Sequence, residues 1–270
     1  MSAKEIARIA LGSPPCQPVL GILGRLPVGR RILNKISCGR GVFDTFEAAR
    51  VAAHFGTESG HNHPDAIRTH LELSRILRPS DYAALYWLLR ISGSSLRILD
   101  FGGNVGNLYY SYSPFLRHAV RSIDWTVFDL PGVMEEGQRI AKKRAVTELT
   151  FTNSLEDALV DRILLVSGAF HYWEKSVDAF LKQFSQPPAH ILLNRTPIQY
   201  TNPTFATVQY ADTYAVPCVV RNGEQMVAEF SALGYKLVDR WSALELTLIL
   251  PLFPDRSVPH YSGFYFRRDS

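Results

Sequence analysis

Short apolar runs alternate with helical patterns through the last two thirds of the chain, and this alternation constrains the fold more than any other feature. Segments with helical spacing follow several of the runs, for example at residues 132–144, 173–184 and 222–234. When a helix follows a strand, the next strand commonly lies parallel to the first in the same sheet. The pattern therefore predicts a mainly parallel α/β sheet with helices on both faces. The seven strand candidates lie at residues 97–101, 125–130, 149–153, 162–170, 190–195, 235–241 and 263–268.

The composition is that of a globular protein. The chain has 270 residues, of which 46% are hydrophobic, and this is enough for a substantial core. The cysteines Cys16, Cys38 and Cys218 are scattered and lack the paired spacing of a disulfide framework or a zinc ribbon. No apolar run reaches the roughly 18 residues of a membrane-spanning helix, and the first residues lack the apolar core of a secretory signal. We therefore expect a protein of the reducing cytoplasm.

Positive charge is concentrated in residues 1–40, which hold seven Lys or Arg and one acidic residue. The whole chain has a formal net charge of +4, so the remainder is slightly acidic and we expect no nucleic-acid partner. Prolines and glycines interrupt any long helix in this basic arm. Its apolar residues leave two interpretations open: an arm that packs over the body of the protein, or a surface that contacts anionic lipid or a partner.

Helical patterns precede the first strand candidate and predict a cap or lid over residues 41–94. Residues 64–91 favour two helices that Pro79 separates, with Ser80 or Asp81 as the N-cap of the second. The chain is therefore predicted to have three parts: a basic N-terminal arm at 1–40, a helical cap or lid at 41–94 and a ligand-binding domain at 95–270.

A turn that is poor in side chains follows the first strand candidate. In the sequence ILDFGGNVGN, the apolar run ends at Asp100, and Gly102, Gly103 and Gly106 come next. Glycines permit a tight turn and the close approach of a ligand to the backbone, and Asn104 tolerates a positive φ. Open α/β sheets bind ligands beyond the carboxyl ends of their strands. Asp100 could bind such a ligand or only cap the turn, and the glycines could serve packing alone.

The turn does not match a dinucleotide site. The pattern G-x-G-x-x-G requires glycine where Asn104 and Asn107 stand. No Lys or Arg lies between Gly102 and Pro114 to bind a phosphate. A carboxylate before the turn instead suits a ligand that carries an ammonium group.

The sequence ILDFGGNVGN resembles motif I of class I S-adenosylmethionine-dependent methyltransferases, in which an acidic residue precedes alternating glycines. TVFDLPGV and LLVSGAFHYWEK resemble later segments of that family. More narrowly, LDFGGNVGNLYY, SGAFHYWE, LLNRTPI and GFYF resemble a group of bacterial methyltransferases associated with cell-surface glycan or envelope biosynthesis. The resemblance covers residues 95–270. It implies a Rossmann-like class I methyltransferase fold with a seven-stranded, mostly parallel sheet, an N-terminal helical extension, and S-adenosyl-L-methionine as cofactor.

The resemblance also implies roles for individual residues. Asp129 would bind the ribose hydroxyls, although it could instead serve the N-terminus of the next helix. Asn153 and Ser154 would contact the adenine, and Tyr109 would line the cofactor pocket or belong to the core. The implied cofactor-binding residues are Asp100, Phe101, Gly102, Gly103, Asn104, Gly106, Tyr109, Asp129, Leu130, Asn153, Ser154, Ser167 and Gly168.

Two residues are candidates for catalysis. His171 follows the fourth strand candidate and could remove a proton from the acceptor, or it could be a structural histidine bonded to backbone. Arg195 ends the fifth strand candidate and could bind an acidic acceptor through its planar guanidinium, or it could pair with a carboxylate of the fold. His61 and His63 lack a metal-ligand pattern, so no metal is expected. Weaker candidates are Tyr210, Tyr214 and His260.

The sequence favours transfer of a methyl group from S-adenosyl-L-methionine to an oxygen or nitrogen of an acceptor, either a small molecule or a surface glycan precursor. Two alternatives remain. One is a non-catalytic S-adenosylmethionine-binding protein; the other is a NAD-dependent oxidoreductase, against which the glycine spacing argues. The basic arm allows peripheral contact with a membrane, so the expected location is cytoplasmic or membrane-proximal. The sequence does not predict an oligomeric state.

Overall fold

A computed structural model describes residues 14–26, 28–29, 39–54, 77–155, 163–210, 215–250 and 252–268. The chain forms two compact units. The first comprises Met1–Gly60, Pro197–Gly223 and Leu246–Tyr261, and the second comprises His61–Thr196, Glu224–Glu245 and Ser262–Ser270. These limits differ from the three consecutive parts predicted above, because two segments of the predicted ligand-binding domain belong to the first unit. The function assigned to each part stays a prediction.

Helices and strands alternate along much of the described chain. The α-helices are α1 (Gln17–Arg25), α2 (Phe46–His54), α3 (Pro79–Ile91), α4 (Asn107–Leu116), α5 (Pro131–Lys143), α6 (Val177–Leu181) and α7 (Gly223–Ala232). The strands are β1 (Gly39–Phe43), β2 (Ser95–Phe101), β3 (Ser122–Phe128), β4 (Leu149–Thr152), β5 (Ile163–Ser167), β6 (His190–Thr196), β7 (Ile198–Gln199), β8 (Phe205–Tyr210), β9 (Ala215–Asn222), β10 (Tyr235–Ala243) and β11 (Tyr261–Arg268). Short 3₁₀ helices lie at Pro14–Cys16, Phe170–Tyr172 and Pro254–Arg256.

A seven-stranded sheet in the order β10-β11-β6-β5-β2-β3-β4 forms the centre of the second unit. β2 pairs in parallel with both β3 and β5, and the pairs β3–β4 and β5–β6 are also parallel. β11 runs antiparallel to β6. The chain thus builds the sheet outward from β2, first to one side and then to the other. This arrangement confirms the predicted Rossmann-like class I methyltransferase fold.

The apolar runs of the sequence form the central strands of the sheet, because central strands are covered on both faces and bury all their side chains. In β5 the four residues from Ile163 to Val166 are all buried, as expected for a parallel strand covered on both faces. Ile98 lies beside Trp125 of β3 in the register, and both belong to the main core together with Tyr112 of α4. The seven predicted strands are all present in this sheet.

The first unit contains a sheet that was not predicted from the sequence, in the order β1-β8-β9-β7. Its core includes Ala49 and Ala53 of α2, together with residues of β8 and β9 such as Ala206 and Ala215. β1 begins with Gly39, where a β-carbon would overlap the side chains of Leu248 and Leu250. Glycine at a tightly packed strand position reads from sequence as a loop. β1 ends at Phe43, so the first three residues of the predicted cap or lid region, 41–43, belong to this strand.

Helix α3 begins differently from the prediction. Pro79 is its first residue, where the missing N–H of proline costs nothing, and the N-cap is Arg78 rather than Ser80 or Asp81. The carboxylate of Asp81 accepts the backbone N–H of Arg78 at 2.8 Å. Most of the helix predicted before Pro79 lies outside the described residues. No helix in the described part of the chain is both long enough and apolar enough to cross a membrane.

Candidate functional site

The carboxyl ends of parallel strands meet at one edge of the seven-stranded sheet. The register places Phe101 of β2 beside Phe128 of β3 and Val166 of β5, and it places Ser167 of β5 beside Asn194 of β6. Because the strand order reverses at β2, this edge is the topological switch point at which open α/β sheets bind ligands. The fold therefore brings together the residues that follow β2, β3 and β5, as predicted.

The turn after β2 uses left-handed backbone conformations. The φ angles are +70° at Gly102, +56° at Asn104 and +89° at Gly106. Asn104 thus takes a conformation that usually requires glycine, and this confirms the prediction made for it. Gly106 is the N-cap of α4, and the backbone N–H of Gly102 donates to the carbonyl of Phe128 at 2.8 Å. The turn is fixed between the end of β3 and the start of α4.

Most glycines of the turn are required by close packing within the protein itself. A β-carbon on Gly102 would overlap that of Ala169, and one on Gly103 would overlap the carboxylate of Asp100. Gly168, at the carboxyl end of β5, is different: its φ is +76°, and no atom lies within 4 Å of the place for a β-carbon. Open space therefore lies next to the backbone at Gly168.

Asp129 joins the end of β3 to the turn. Its carboxylate accepts the backbone N–H of Asn104 at 2.8 Å and that of Leu130 at 2.7 Å. Burial raises the pKa of Asp129, although the two N–H donors oppose that change. Each carboxylate oxygen has more than one lone pair, so both can also accept a hydroxyl from a ligand. Leu130, the N-cap of α5, is exposed beside it.

Asp100 lies beneath the turn rather than open to a ligand. It is 1% exposed, and its Oδ2 accepts the indole N–H of Trp125 at 3.1 Å. Its Oδ1 has no hydrogen-bond partner among the described residues. Burial raises the pKa of Asp100 to about 7; the charge of Asp129 adds to this, while Trp125 and Arg195 oppose it. The position does not support direct contact of Asp100 with a ligand.

Arg195 pairs with a carboxylate of the fold, which is the second of its two interpretations. Its Nε donates to Ser167 Oγ at 3.0 Å, and its Nη2 lies 3.4 Å from Oδ1 of Asp81. The same oxygen accepts the hydroxyl of Tyr112 at 2.8 Å, and Asn194 Nδ2 lies 3.5 Å from it. Arg195 has a φ of +54°, which is uncommon for a residue with a side chain. In the sequence Asp81 is a candidate helix cap, and no local pattern signals its pairing with Arg195.

His171 and Tyr109 are both buried. His171 is 3% exposed within the 3₁₀ helix Phe170–Tyr172, and its ring centroid lies 4.1 Å from that of Tyr172. Tyr109 belongs to the main core; its hydroxyl donates to Glu148 and accepts from Arg117. The structure therefore favours the second interpretation of Tyr109, a core residue, over a role in the cofactor pocket, because its hydroxyl is bonded to Glu148 and Arg117.

The remaining predicted residues are divided between the two units. Phe101 stacks on Phe128 with ring centroids 5.2 Å apart. Asn153 is exposed and Ser154 half-buried after β4, at the same edge of the sheet as the turn. Tyr210 and His260 belong to the first unit. Outside the described residues lie Tyr214, His61 and His63.

Solved structures with a similar backbone include three methyltransferases. One, from Thiobacillus denitrificans in complex with S-adenosyl-L-homocysteine, is 16% identical, with 77% of this chain and 99% of that chain covered and a TM-score of 0.46. Another is the 1,6-didemethyltoxoflavin-N1-methyltransferase of Burkholderia thailandensis, with 14% identity, 83% and 87% coverage and a TM-score of 0.47. The magnesium protoporphyrin IX methyltransferase of Synechocystis PCC 6803 gives 11% identity, 76% and 84% coverage and a TM-score of 0.46. No family model and no curated protein matches the chain. The fold assignment rests on the strand order and directions of the seven-stranded sheet.

Proposed function

We propose that the protein transfers a methyl group from S-adenosyl-L-methionine to an oxygen or nitrogen of an acceptor. One observation carries this proposal: a left-handed turn at the switch point of the sheet, free of cations and bonded through the N–H of Asn104 to the carboxylate of Asp129. A pyrophosphate is bound by backbone N–H groups that point at it, and here the N–H of Asn104 is already bonded to Asp129, whereas a nucleoside with free hydroxyls and a positive charge suits carboxylates.

The residues of the site fit such a nucleoside. Asp129 retains acceptor capacity for the two ribose hydroxyls, and Gly168 leaves space beside the backbone at the end of β5. The carboxyl group of Asp100 beneath the turn contributes negative potential when it is ionised, and this favours a cationic ligand. When bound, the cofactor supplies a methyl group on a sulfonium, already activated for transfer.

The protein's own part in the reaction is alignment and exclusion of water. The ion pair of Arg195 with Asp81 and the bond to Ser167 fix the ends of β5 and β6, where the acceptor would meet the methyl group. His171 remains the candidate base for a hydroxyl acceptor. The acceptor itself is proposed as a small molecule or a surface glycan precursor, and the basic arm favours a reaction close to a membrane.

Equilibrium binding of labelled S-adenosyl-L-methionine to the full chain tests the cofactor. Asp129→Ala is expected to weaken binding by roughly 10- to 100-fold, because it removes a charged acceptor of two hydrogen bonds. Asp124→Ala, on the strand β3 that precedes Asp129, is the matched control, since Asp124 is partly exposed and pairs with Arg97. Absence of binding by the wild type, or equal binding by Asp129→Ala, contradicts the proposal. Competition by NAD but not by S-adenosylhomocysteine would point to the oxidoreductase instead.

A non-catalytic S-adenosylmethionine-binding protein is the second candidate. It is favoured by one observation: both side chains predicted to act on the acceptor, His171 and Arg195, are buried, and Arg195 is held by Asp81. Formation of S-adenosylhomocysteine in the presence of acceptor panels supports the enzyme. Tight binding without turnover, together with a second protein retained on the cofactor-bound form, supports this alternative.

A further inference from the structure

Arg195 has hydrogen-bonding capacity that the described part of the protein does not use. A guanidinium carries five N–H donors. Nε of Arg195 donates to Ser167 Oγ at 3.0 Å, and Nη2 lies 3.4 Å from Oδ1 of Asp81. Nη1 has no partner among the described residues, yet it is not fully enclosed by protein. The otherwise buried guanidinium of Arg195 therefore presents Nη1 to accessible space.

A second guanidinium lies nearby and has fewer contacts. Arg78 precedes α3 and is half-buried, and its guanidinium donates to no residue that the structure describes. Burial lowers the pKa of Arg78 and the positive charge of Arg195 lowers it further, whereas the charges of Asp81 and Glu245 oppose this change. The two arginines are thus close enough to repel each other, and an anion that contacts both would relieve that repulsion.

The two acids near these arginines are already bonded. Asp81 accepts the backbone N–H of Arg78 at 2.8 Å, in addition to its contact with Arg195. Glu245 accepts the hydroxyl of Ser80 and is exposed, and an exposed carboxylate compensates a cation only weakly. The two guanidinium groups therefore offer more N–H donors than these acids accept.

Arg195 lies at the edge of the sheet that carries the turn. The carbonyl of Asn194 accepts the backbone N–H of Gly168 at 2.8 Å, which joins the carboxyl ends of β5 and β6 beside the open space at Gly168. Asp129 follows β3, which is two strands away from β5 in the sheet. Neighbouring strands are about 4.8 Å apart, so roughly 10 Å separate these two strand ends. This separation suits a ligand that has hydroxyls at one end and an acidic group at the other.

We propose that Arg78 and Arg195 form a binding site for a carboxylate group of a ligand at the carboxyl end of β6. A carboxylate accepts the planar N–H donors that a guanidinium presents. Two molecules of the proposed reaction can supply this group: the cofactor, through the carboxylate of its amino-acid end, or an acidic acceptor. The choice between these sources rests on the proposed function, whereas the anion site itself does not.

Binding of isotopically labelled acetate to the full chain, measured by line broadening in an NMR titration, tests the site. Wild type is expected to bind acetate with a Kd of roughly 1–10 mM, because a few charge-assisted hydrogen bonds hold so small an anion. Arg78→Met should weaken binding at least ~5-fold, since it removes one of the two cations. Arg195→Lys keeps a charge for Asp81 but removes Nη1, and it should also weaken binding at least ~5-fold.

A control of equal charge separates a specific site from a general charge effect. Arg97→Met removes one cation near the amino end of β2, where Arg97 pairs with Asp124, and should bind acetate within about twofold of wild type. The proposal is overturned if wild type shows no saturable binding of acetate, or if Arg78→Met and Arg97→Met weaken binding equally. Arg78→Met carries the test alone if Arg195→Lys does not fold.

Repeating the titration with bound nucleosides identifies the source of the carboxylate. S-adenosylhomocysteine carries the amino-acid carboxylate, and 5′-methylthioadenosine is the corresponding nucleoside without the amino acid. Displacement of acetate by S-adenosylhomocysteine alone assigns the site to the cofactor, and retention of acetate with either nucleoside bound assigns it to an acidic acceptor. Displacement by both overturns the proposal, because the nucleoside itself would then cover the arginines. A protein that binds acetate as expected but binds neither nucleoside contradicts the proposed function alone.

Discussion

At the scale of single residues, Asp100 lies in an environment that is poorly suited to a negative charge. It has one neutral hydrogen-bond donor, Trp125, and its second oxygen has no partner among the described residues. The nearby carboxylate of Asp129 repels it, and Arg195 is already paired with Asp81. A buried carboxyl with so little compensation holds its proton more tightly, which explains the rise of its pKa to about 7.

This environment predicts an unusual dependence of stability on pH. Between the ordinary pKa of 3.8 and the raised value of about 7, the folded protein holds a proton on Asp100 that the unfolded chain has lost. The stabilisation that this proton provides is complete below pH 3.8 and is lost as the pH rises to about 7. Asp100→Asn stays neutral, so its free energy of unfolding should rise relative to wild type by roughly 1.4 kcal/mol per pH unit across this window.

Urea unfolding of both proteins from pH 5 to pH 8 measures the effect. Asp124→Asn removes a partly exposed carboxylate, which pairs with Arg97 on the neighbouring strand, and serves as the matched control. A constant difference between wild type and Asp100→Asn across the pH range would show that Asp100 is ionised throughout, and the account of its burial would be wrong.

At the scale of elements, helix α3 and strand β6 are held together by a buried ion pair. Asp81 near the start of α3 faces Arg195 on β6, and the hydroxyl of Tyr112 on α4 bonds to the same carboxylate oxygen. Removal of one member of a buried pair leaves the other charge uncompensated, which costs more than the pair itself contributes. The structure therefore predicts strong coupling between the two side chains.

A double-mutant cycle measures that coupling. Asp81→Ala should lower the free energy of unfolding by roughly 3 kcal/mol, because it orphans the buried guanidinium and a backbone N–H of the helix start. Asp81→Ala combined with Arg195→Met should cost less than the sum of the two single changes by at least ~1 kcal/mol. Additive effects in urea unfolding would mean that the two groups do not interact appreciably in solution.

The sequence predicted the elements of the seven-stranded sheet but not this contact. Strand β5 is a short apolar run that precedes a segment with helical spacing, and such a local pattern can be recognised without knowledge of the fold. Asp81 and Arg195 are far apart in the chain, so nothing local connects them. An acidic residue at the start of a helix is expected for capping alone, so the presence of Asp81 there gives no sign of a second role.

The sheet of the first unit escaped prediction for a different reason. β1 contains Gly39 and Gly41, and β9 contains Pro217, all residues that usually interrupt strands. Gly39 is tolerated because the side chains of Leu248 and Leu250 take the place of its missing one. Only the packing partner, supplied by a remote segment, makes such a sequence a strand.

At the scale of the whole molecule, each compact unit is assembled from three separate segments. The backbone of β1 pairs with β8, so that Arg40 lies opposite Val208, and α2 covers the alanines of β8 and β9. The chain therefore cannot be divided at one point into an N-terminal and a C-terminal part without exposing apolar surface in the first unit.

A fragment of residues 95–270 tests this consequence against the predicted ligand-binding domain. It lacks β1 and α2, which cover β8 and β9, and it lacks α3, whose Asp81 faces Arg195. We expect the fragment to aggregate or to unfold without a cooperative transition, as seen by size-exclusion chromatography and thermal circular dichroism. A fragment of residues 77–270 contains α3 but still lacks β1 and α2. It should therefore regain only the stability that the second unit loses in the shorter fragment. A monomeric 95–270 fragment that unfolds cooperatively and binds S-adenosyl-L-methionine as the full chain does would show that the predicted domain is autonomous, and that the two N-terminal elements are additions to a complete fold.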